Sequence, residues 1–183
     1  MKIYLSQDAV AKALGVEDVA KRLVEDARAR SIDLQLVRVG SRGMTWLEPL
    51  AEVEIDGVRH AYGPLAASDV PALLDGTLES LGATEEIPFL AGQTRLTFAR
   101  VGVIDPLSLA DYEAHGGLTG LRAALAAPGE VVQTVLDSGL RGRGGAGFPT
   151  GIRWQTVANA QADQKYIVCN ADEGDSGTFA DRM

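Results

Sequence analysis

The sequence has little of what several common protein classes need. Its single cysteine, Cys169, excludes an internal disulfide and any iron–sulfur cluster held only by cysteines of this chain. No apolar run approaches the roughly 20 residues that span a bilayer, and the N-terminus has no signal-peptide core. Positive charge is also scarce, since the net charge is −8, which disfavours binding to nucleic acid. We therefore expect a soluble, cytoplasmic protein that binds neither membranes nor nucleic acids.

The composition that is present is typical of a globular protein. The chain has 183 residues, of which 46% are hydrophobic and 23% are charged. This length suits one ordinary domain or two small ones. We predict a first domain over residues 1–78, a linker over residues 79–106 and a second domain over residues 107–183.

Hydrophobic spacing gives the first domain a βαβββα order. The Asp56–Gly57 pair is a favoured hairpin turn, and Ser68 is placed to cap the last helix. This order is typical of a thioredoxin-like domain, although helix-rich α+β arrangements also fit. The predicted elements are a strand at 2–6, a helix at 8–30, a strand at 32–39, a hairpin of 50–55 with 58–62, and a helix at 69–78.

The middle of the chain has less periodicity. We predict one short strand at residues 95–101 inside the linker. Helices are expected at residues 107–114 and 118–127, and Pro128 can open another that runs to Gly139.

A glycine-rich segment at residues 138–151 carries most of the information about function. It contains six glycines, and the arginines Arg141, Arg143 and Arg153 lie in or beside it without an intervening acid. Glycine permits close approach of the backbone to an anion or a flat ring, and arginine adds charge for phosphate. A flexible loop is the alternative interpretation.

Two familiar nucleotide motifs do not fit this segment. Gly142, Gly144 and Gly147 satisfy G-x-G-x-x-G, but the residues before them indicate a helix, whereas the Rossmann fingerprint needs a strand. The phosphate-binding P-loop requires Lys-Ser/Thr, and Phe148–Pro149 stands there instead. The sequence therefore predicts a different nucleotide site, on a loop between two helices.

A second segment places polar groups after an apolar run. Residues 166–169 read as a buried strand, so Cys169 is interpreted as a buried structural thiol rather than a redox nucleophile. One amide and three carboxylates follow. They can accept hydrogen bonds from hydroxyls and ring N–H groups, or bind a divalent cation, although their spacing is not that of an EF-hand. These residues are Asn170, Asp172, Glu173 and Asp175.

The two segments GLRGRGGAGFPTGIRW and KYIVCNADEGDSGTFADRM resemble the FMN- and NADH-binding signatures of the flavoprotein subunit of respiratory complex I. NAD-reducing hydrogenases and soluble molybdenum-dependent NAD formate dehydrogenases contain similar subunits. The formate dehydrogenase beta subunit is the most similar branch, because of RLTFARVGVIDPLSLADYEAHGG and Asp175–Ser176. The resemblance implies a Rossmann-like FMN-binding α/β domain that begins after the thioredoxin-like domain.

The resemblance also implies roles for individual residues. Arg143 and Gly144 would border FMN, and Gly142 would belong to the same cofactor site. Gly145, Ala146 and Phe148 would line the nicotinamide side. Asn170, Asp172 and Glu173 would hydrogen-bond FMN, and Asp175 would contact NADH. Arg153 stands where the family usually has lysine, so a planar fork replaces a point donor. No side chain is expected to act as a catalytic acid or base, and no resident metal is expected.

Related N-terminal domains that hold a 2Fe–2S cluster have four cysteines, and this chain has Ser6, Ala11, Ser41 and Thr45 at those positions. We therefore expect a cluster-free domain that serves docking.

The resemblance further implies that later segments complete the FMN pocket and hold a 4Fe–4S cluster. We expect this chain to be an N-terminal fragment that is inactive alone. The implied cofactors are FMN and NAD(H). The implied partners are a 2Fe–2S gamma-type subunit and a catalytic subunit that contains molybdenum and iron–sulfur clusters.

The predicted activity is electron transfer between FMN and NAD(H) within an NAD-dependent formate dehydrogenase, which makes the chain an oxidoreductase subunit. The corresponding subunit of complex I or of an NAD-reducing hydrogenase is the nearest alternative. Two other classes stay open: a subunit-docking module without cofactor, and a nucleotide-binding domain without redox activity.

Overall fold

The computed structural model describes residues 1–170, 172 and 174 and shows a mixed α/β fold with one four-stranded mixed sheet. Contacts between Cα atoms divide the chain into two compact units. The first contains Met1–His115, and the second begins at Gly116. The predicted first domain and linker both lie in the first unit, and their limits stay predictions.

The first unit contains the sheet, and its secondary structure largely follows the predicted order. Three turns of 3₁₀ type, Thr45–Leu47, Ala67–Asp69 and Thr84–Glu86, lie among its loops. The strands and helices are β1 Lys2–Ser6, α1 Ala9–Ala13, α2 Val16–Ala29, β2 Gln35–Val39, β3 Ala51–Ile55, β4 Val58–Tyr62, α3 Val70–Leu74, α4 Pro88–Ala91 and α5 Leu109–Ala114.

The sheet has the strand order β2-β1-β3-β4. β1 runs parallel to β2 and antiparallel to β3, and β3 and β4 form the predicted hairpin. Both turn residues adopt left-handed backbone conformations, with φ of 51° at Asp56 and 81° at Gly57. The hairpin prediction is confirmed, because this turn chemistry matches the twist of the flanking strands.

The main core lies between the sheet and α2. Helical spacing places one face of α2 on the strands, and β1 contributes two fully buried side chains. The most deeply buried members of this core are Ile3, Leu5, Ala11, Val16, Val19, Leu23, Ala51 and Val70. A smaller cluster of Met44, Leu50, Ala61 and Leu90 packs against Leu47 and Ile87, beside the 3₁₀ turns.

The two long helices predicted for this unit are shorter than expected. The helix predicted at residues 8–30 breaks at Gly15, which has a φ of 93°, so α1 and α2 are separate helices. Ser68 does not cap the last helix. Residues Ala67–Asp69 form a 3₁₀ turn in which Asp69 accepts a hydrogen bond from the Ala66 N–H, and α3 follows.

The short strand predicted at residues 95–101 is wrong. The backbone makes local bonds instead, from Val101 N–H to the Phe98 carbonyl at 3.1 Å and from Val103 N–H to the Arg100 carbonyl at 3.0 Å. The Arg95 guanidinium also donates to the Val101 carbonyl. Because turns satisfy these backbone groups, the segment has no need of a partner strand.

The second unit is helical over its described residues. Its helices are α6 Thr119–Ala126, α7 Val131–Asp137 and α8 Thr150–Asn159, and a 3₁₀ turn at Pro128–Glu130 leads into α7 as the proline predicted. Across the part of the chain that the structure describes, none of the helices combines the length and apolar character that crossing a membrane requires.

Candidate cofactor site

The glycine-rich segment forms a closed loop between α7 and α8, as the sequence predicted. Two backbone hydrogen bonds join its ends: Thr150 N–H donates to the Leu140 carbonyl at 2.8 Å, and Gly142 N–H donates to the Phe148 carbonyl at 2.9 Å. An antiparallel bridge pairs Arg141 with Pro149 between them. Residues 143–147 therefore form the tip of a loop whose base is closed by backbone hydrogen bonds.

The Arg141 side chain forms a hydrogen bond with the backbone of the tip. Its guanidinium Nη1 donates to the Gly147 carbonyl at 3.0 Å, and Arg143 Nη1 donates to the Arg141 carbonyl at 3.2 Å. The sequence indicated Arg141 only as a flanking charge and not as a site residue. Its backbone pairing with Pro149 links positions eight residues apart, and no local pattern predicts that pairing.

The glycines of the tip serve different purposes. Gly145 and Gly147 have φ of 101° and 60°, a conformation that favours glycine. Gly144 lies outside that left-handed range, and a Cβ atom added to it would meet no protein atom within 4 Å. Neither backbone conformation nor packing within the described chain therefore requires glycine at position 144.

The loop is also strongly cationic. Arg141, Arg143 and Arg153 are exposed, and no carboxylate of the described residues forms an ion pair with any of them. The Arg153 guanidinium lies 5.2 Å from the centre of the Phe148 ring, which holds both side chains beside the tip. Unpaired guanidinium groups around exposed amides favour an anionic ligand.

Gly151 joins the loop to the helices by close packing. A Cβ atom at this position would lie 2.6 Å from the Cα and 2.7 Å from the backbone nitrogen of Leu136. The first turn of α8 therefore rests directly on the backbone of α7, and glycine is needed for this contact.

Replacing Gly151 with alanine is expected to lower the free energy of unfolding by about 2 kcal/mol, because α8 must move away from α7. Urea unfolding followed by circular dichroism measures this change. Gly120→Ala is the matched control: it is also a helical glycine, but its added Cβ meets nothing within 4 Å. Alanine there is expected to stabilise by roughly 0.5 kcal/mol. The same sign for both variants would contradict the packing argument.

The apolar run at residues 166–169 does not form the buried strand that we predicted. No strand of the described residues pairs with it, and Ile167 is 97% exposed. Lys165 Nζ instead donates to the Ala158 carbonyl at 2.8 Å, which ties the run to the end of α8. Cys169 is exposed, so its interpretation as a buried structural thiol is wrong. An apolar run forms a strand only where a partner supplies the ladder bonds.

The acidic cluster is described only in part. Asp172 N–H donates to Asn170 Oδ1 at 3.0 Å, which makes a local turn. Glu173 and Asp175 lie outside the described residues. Within the described ranges, no group of three or more histidine, cysteine, aspartate or glutamate residues is arranged to hold a metal ion.

The structure therefore brings some of the predicted site residues together. The loop residues form one surface, which contains Gly142, Arg143, Gly144, Gly145, Ala146, Phe148 and Arg153. Between that surface and Asn170 or Asp172 there is no hydrogen bond or ion pair among the residues the structure describes. The predicted convergence of the two segments on one cofactor stays a prediction.

Comparison with known proteins finds similarity over the same segment. Residues 135–183 match the family model described as "Nuo51 FMN-binding domain". Among solved structures, a chain titled "Crystal structure of NAD+-reducing [NiFe]-hydrogenase in the air-oxidized state" aligns with 99% of this chain and 32% of its own length. That alignment has 25% sequence identity and a TM-score of only 0.35, which is too low to compare the folds.

Curated relatives are named as subunits of hydrogenases and of an NADH-quinone oxidoreductase. The NADP-reducing hydrogenase subunit HndC of Solidesulfovibrio fructosivorans is 56% identical over 91 residues, which are 49% of this chain and 18% of that protein. An NADH-quinone oxidoreductase subunit of Rhizobium meliloti is 54% identical over 85 residues, or 45% of this chain and 20% of that protein. The NAD-reducing hydrogenase HoxS subunit alpha of Cupriavidus necator is 51% identical over 72 residues, or 37% and 12%. The chain thus spans one fifth or less of the length of each of these relatives.

Proposed function

We propose that this chain is part of a flavoprotein subunit that transfers electrons between FMN and NAD(H), with the glycine loop as one wall of the FMN site. One observation carries the proposal. The open backbone at Gly144 lies on a loop tip beside Arg143 and Arg153, whose guanidinium groups form no ion pair with a described carboxylate. A phosphorylated ligand that approaches the backbone at this point would use both features.

The loop has the chemistry that a flat, phosphorylated cofactor needs. The exposed tip presents backbone amides without side chains, which suits close contact with a ring system. Arg143 and Arg153 add two guanidinium groups that no described carboxylate neutralises. Such groups bind phosphate through paired N–H donors.

We assign the parts of the site as follows. Gly142, Arg143, Gly144 and Arg153 would hold FMN, and Gly145, Ala146 and Phe148 would face the nicotinamide. Asn170, Asp172 and Glu173 would accept hydrogen bonds from FMN, and Asp175 from NADH. Bound FMN would supply hydride exchange with the nicotinamide and single-electron exchange with other redox centres. The protein's own contribution is to bind and orient the two cofactors.

The cofactor prediction of FMN and NAD(H) is confirmed by the matched FMN-binding family and by the relatives named for NADH and NAD. We also propose which enzyme the subunit belongs to. We favour a formate dehydrogenase, with a 2Fe–2S gamma-type subunit and a molybdenum-containing subunit as partners and a 4Fe–4S cluster on later segments. The segment at residues 95–117 and Asp175–Ser176 support this branch.

We also propose a fold type for each of the two units. The first unit has a parallel β1–β2 pair joined through α1 and α2, followed by an antiparallel hairpin and α3, which supports a thioredoxin-like domain. The loop between α7 and α8 supports the beginning of a Rossmann-like FMN-binding domain. We also propose a cytoplasmic location, which suits an enzyme that uses soluble NAD(H).

Gly144→Ala tests the placement of the loop. A methyl group at position 144 would occupy the space that the cofactor needs, so we expect the affinity of the chain for FMN to fall about tenfold or more, equivalent to about 1.4 kcal/mol or more. Quenching of flavin fluorescence during titration measures this affinity.

Gly129→Ala is the matched control. Gly129 lies in the same unit, also outside the left-handed range, and its added Cβ would also meet nothing within 4 Å. We expect its FMN affinity to equal that of the parent chain. Unchanged affinity in a folded Gly144→Ala variant would overturn the proposed site. Absence of any FMN binding by the parent chain at millimolar FMN would do the same.

A further inference from the structure

Two aromatic side chains form an exposed pair on the first unit. Trp46 and Phe89 lie edge to face, with ring centres 5.1 Å apart and ring planes at 89°. Trp46 is 57% exposed and Phe89 is 41% exposed. Large aromatic residues that are both exposed and clustered are typical of protein interfaces, because their apolar area is costly to leave in water.

An apolar groove continues this pair. It has a volume of about 330 Å³ and is lined by Leu47, Leu81, Gly82, Ala83, Glu86, Ile87 and Pro88. Leu47 and Pro88 are chain neighbours of Trp46 and Phe89, so the groove lies next to the aromatic pair. We call these residues together the Trp46 surface.

Backbone hydrogen bonds join the Trp46 surface to the sheet. Leu81 N–H donates to the Ala61 carbonyl of β4 at 2.8 Å, and Ala61 N–H donates to the Gly82 carbonyl at 3.0 Å. The Phe89 ring packs within 4 Å of the position that a Cβ on Gly43 would take. One wall of the groove therefore belongs to the edge of the sheet.

Charge indicates what kind of partner fits. The groove is lined by one acid, Glu86, and by no base, and Glu85 beside it is exposed although it bonds to Arg42. The exposed indole of Trp46 also attracts cations through its ring face. A second copy of this chain fits poorly, because a twofold contact would bring the Glu86 carboxylates of both copies onto the same surface.

We propose that the Trp46 surface docks another protein through a segment that presents a large apolar side chain next to lysine or arginine. The apolar side chain fills the groove beside Trp46 and Phe89, and the cation faces Glu86. This inference rests on the proposed role as a subunit of a larger assembly, but it does not involve the FMN site.

Binding of two labelled peptides to the full 183-residue chain tests the proposal. One is an amphipathic peptide of leucine and lysine, and the other has glutamate in place of each lysine. We expect fluorescence anisotropy to show saturable binding of the lysine peptide only. Trp46→Ala should weaken it about tenfold or more, as removal of an interface anchor does. Glu86→Lys should weaken it about fivefold.

Matched controls separate this surface from the acidity of the whole protein. Glu25→Lys changes the net charge by the same amount on the exposed side of α2, and Val24→Ala removes an exposed apolar side chain there. Both are expected to leave the affinity within about twofold. Phe89→Ala serves as the second aromatic variant, and circular dichroism verifies that each variant is folded.

Three outcomes would overturn the proposal. They are equal binding of both peptides, equal weakening by Glu86→Lys and Glu25→Lys, and a dimer in sedimentation equilibrium that Trp46→Ala converts to a monomer. The last outcome would assign the surface to a second copy. FMN affinity measured on Trp46→Ala keeps the two proposals apart, because we expect it to be unchanged.

Discussion

Replacing Glu52 with glutamine is expected to lower the free energy of unfolding by roughly 3 kcal/mol, because it leaves the buried Arg42 guanidinium without its main counter-charge. Glu52 accepts two hydrogen bonds from Arg42, at 2.8 Å from Nε and 2.8 Å from Nη2, and both side chains are almost fully buried. Burial alone would lower the pKa of Arg42, but the hydrogen bonds and charge of Glu52, then of Glu85, raise it overall.

The chain offers a matched control for this experiment. Arg38 also binds a glutamate through two nitrogens, at 2.7 Å and 3.2 Å, but its partner Glu17 is largely exposed. Glu17→Gln is therefore expected to cost less than about 1 kcal/mol. Urea unfolding of both variants at neutral pH gives the comparison. Similar losses in the two variants would mean that burial does not decide the strength of these pairs.

Stability is expected to fall by roughly 3 kcal/mol as the pH rises from about 4 to 8, through the carboxyl group of Glu48 alone. Burial raises the pKa of this group from 4.5 to about 7, and the charge of the nearby Asp8 also raises it, while the hydrogen bond from the Leu50 N–H and the nearby hydroxyls of Ser41 and Ser6 oppose the rise. Between pH 4.5 and 7 the folded state holds a proton that the unfolded state has lost. Folding is therefore favoured at low pH in this window.

Glu48→Gln isolates the effect. Glutamine keeps the shape but cannot ionise, so this variant should lose less stability than the parent chain between pH 4 and 8, by roughly 3 kcal/mol. Urea unfolding at several pH values measures both chains. Glu48 Oε1 has no hydrogen-bond partner among the described residues, so no specific interaction of the charged form at this atom opposes the trend. Parallel pH profiles of the two chains would show that Glu48 titrates normally.

Local chemistry explains what could be predicted from the sequence. The Asp56–Gly57 turn and the helical turn that Pro128 opens ahead of α7 depend on a few neighbouring residues, and both are found where the sequence indicated. The glycine loop between two helices is likewise found, because its flanking patterns are helical on both sides. At Gly15 the local pattern led to a wrong prediction. The apolar spacing continues through this residue and predicted one helix, whereas the left-handed backbone of Gly15 separates α1 from α2.

Contacts between distant residues explain most of the rest. Whether residues 166–169 form a strand depends on a partner strand that the sequence does not identify. The same holds for residues 95–101. The bond between Arg141 and Gly147 and the contact of Gly151 with Leu136 depend on how the loop and helices meet. The buried pair of Arg42 and Glu52 belongs to no sequence motif, because its geometry arises only when the sheet and its loops pack.

The closed base of the glycine loop has a consequence for any ligand that the loop binds. Bringing Arg141 and Pro149 together costs conformational entropy. Most of this cost is incurred when the protein folds, and not when a ligand binds. A ligand at the tip would then have to order only residues 143–147 and the side chains of Phe148 and Arg153, because the base is already closed. More of its contact energy would remain as net affinity, because ordering the receptor is part of the cost of association.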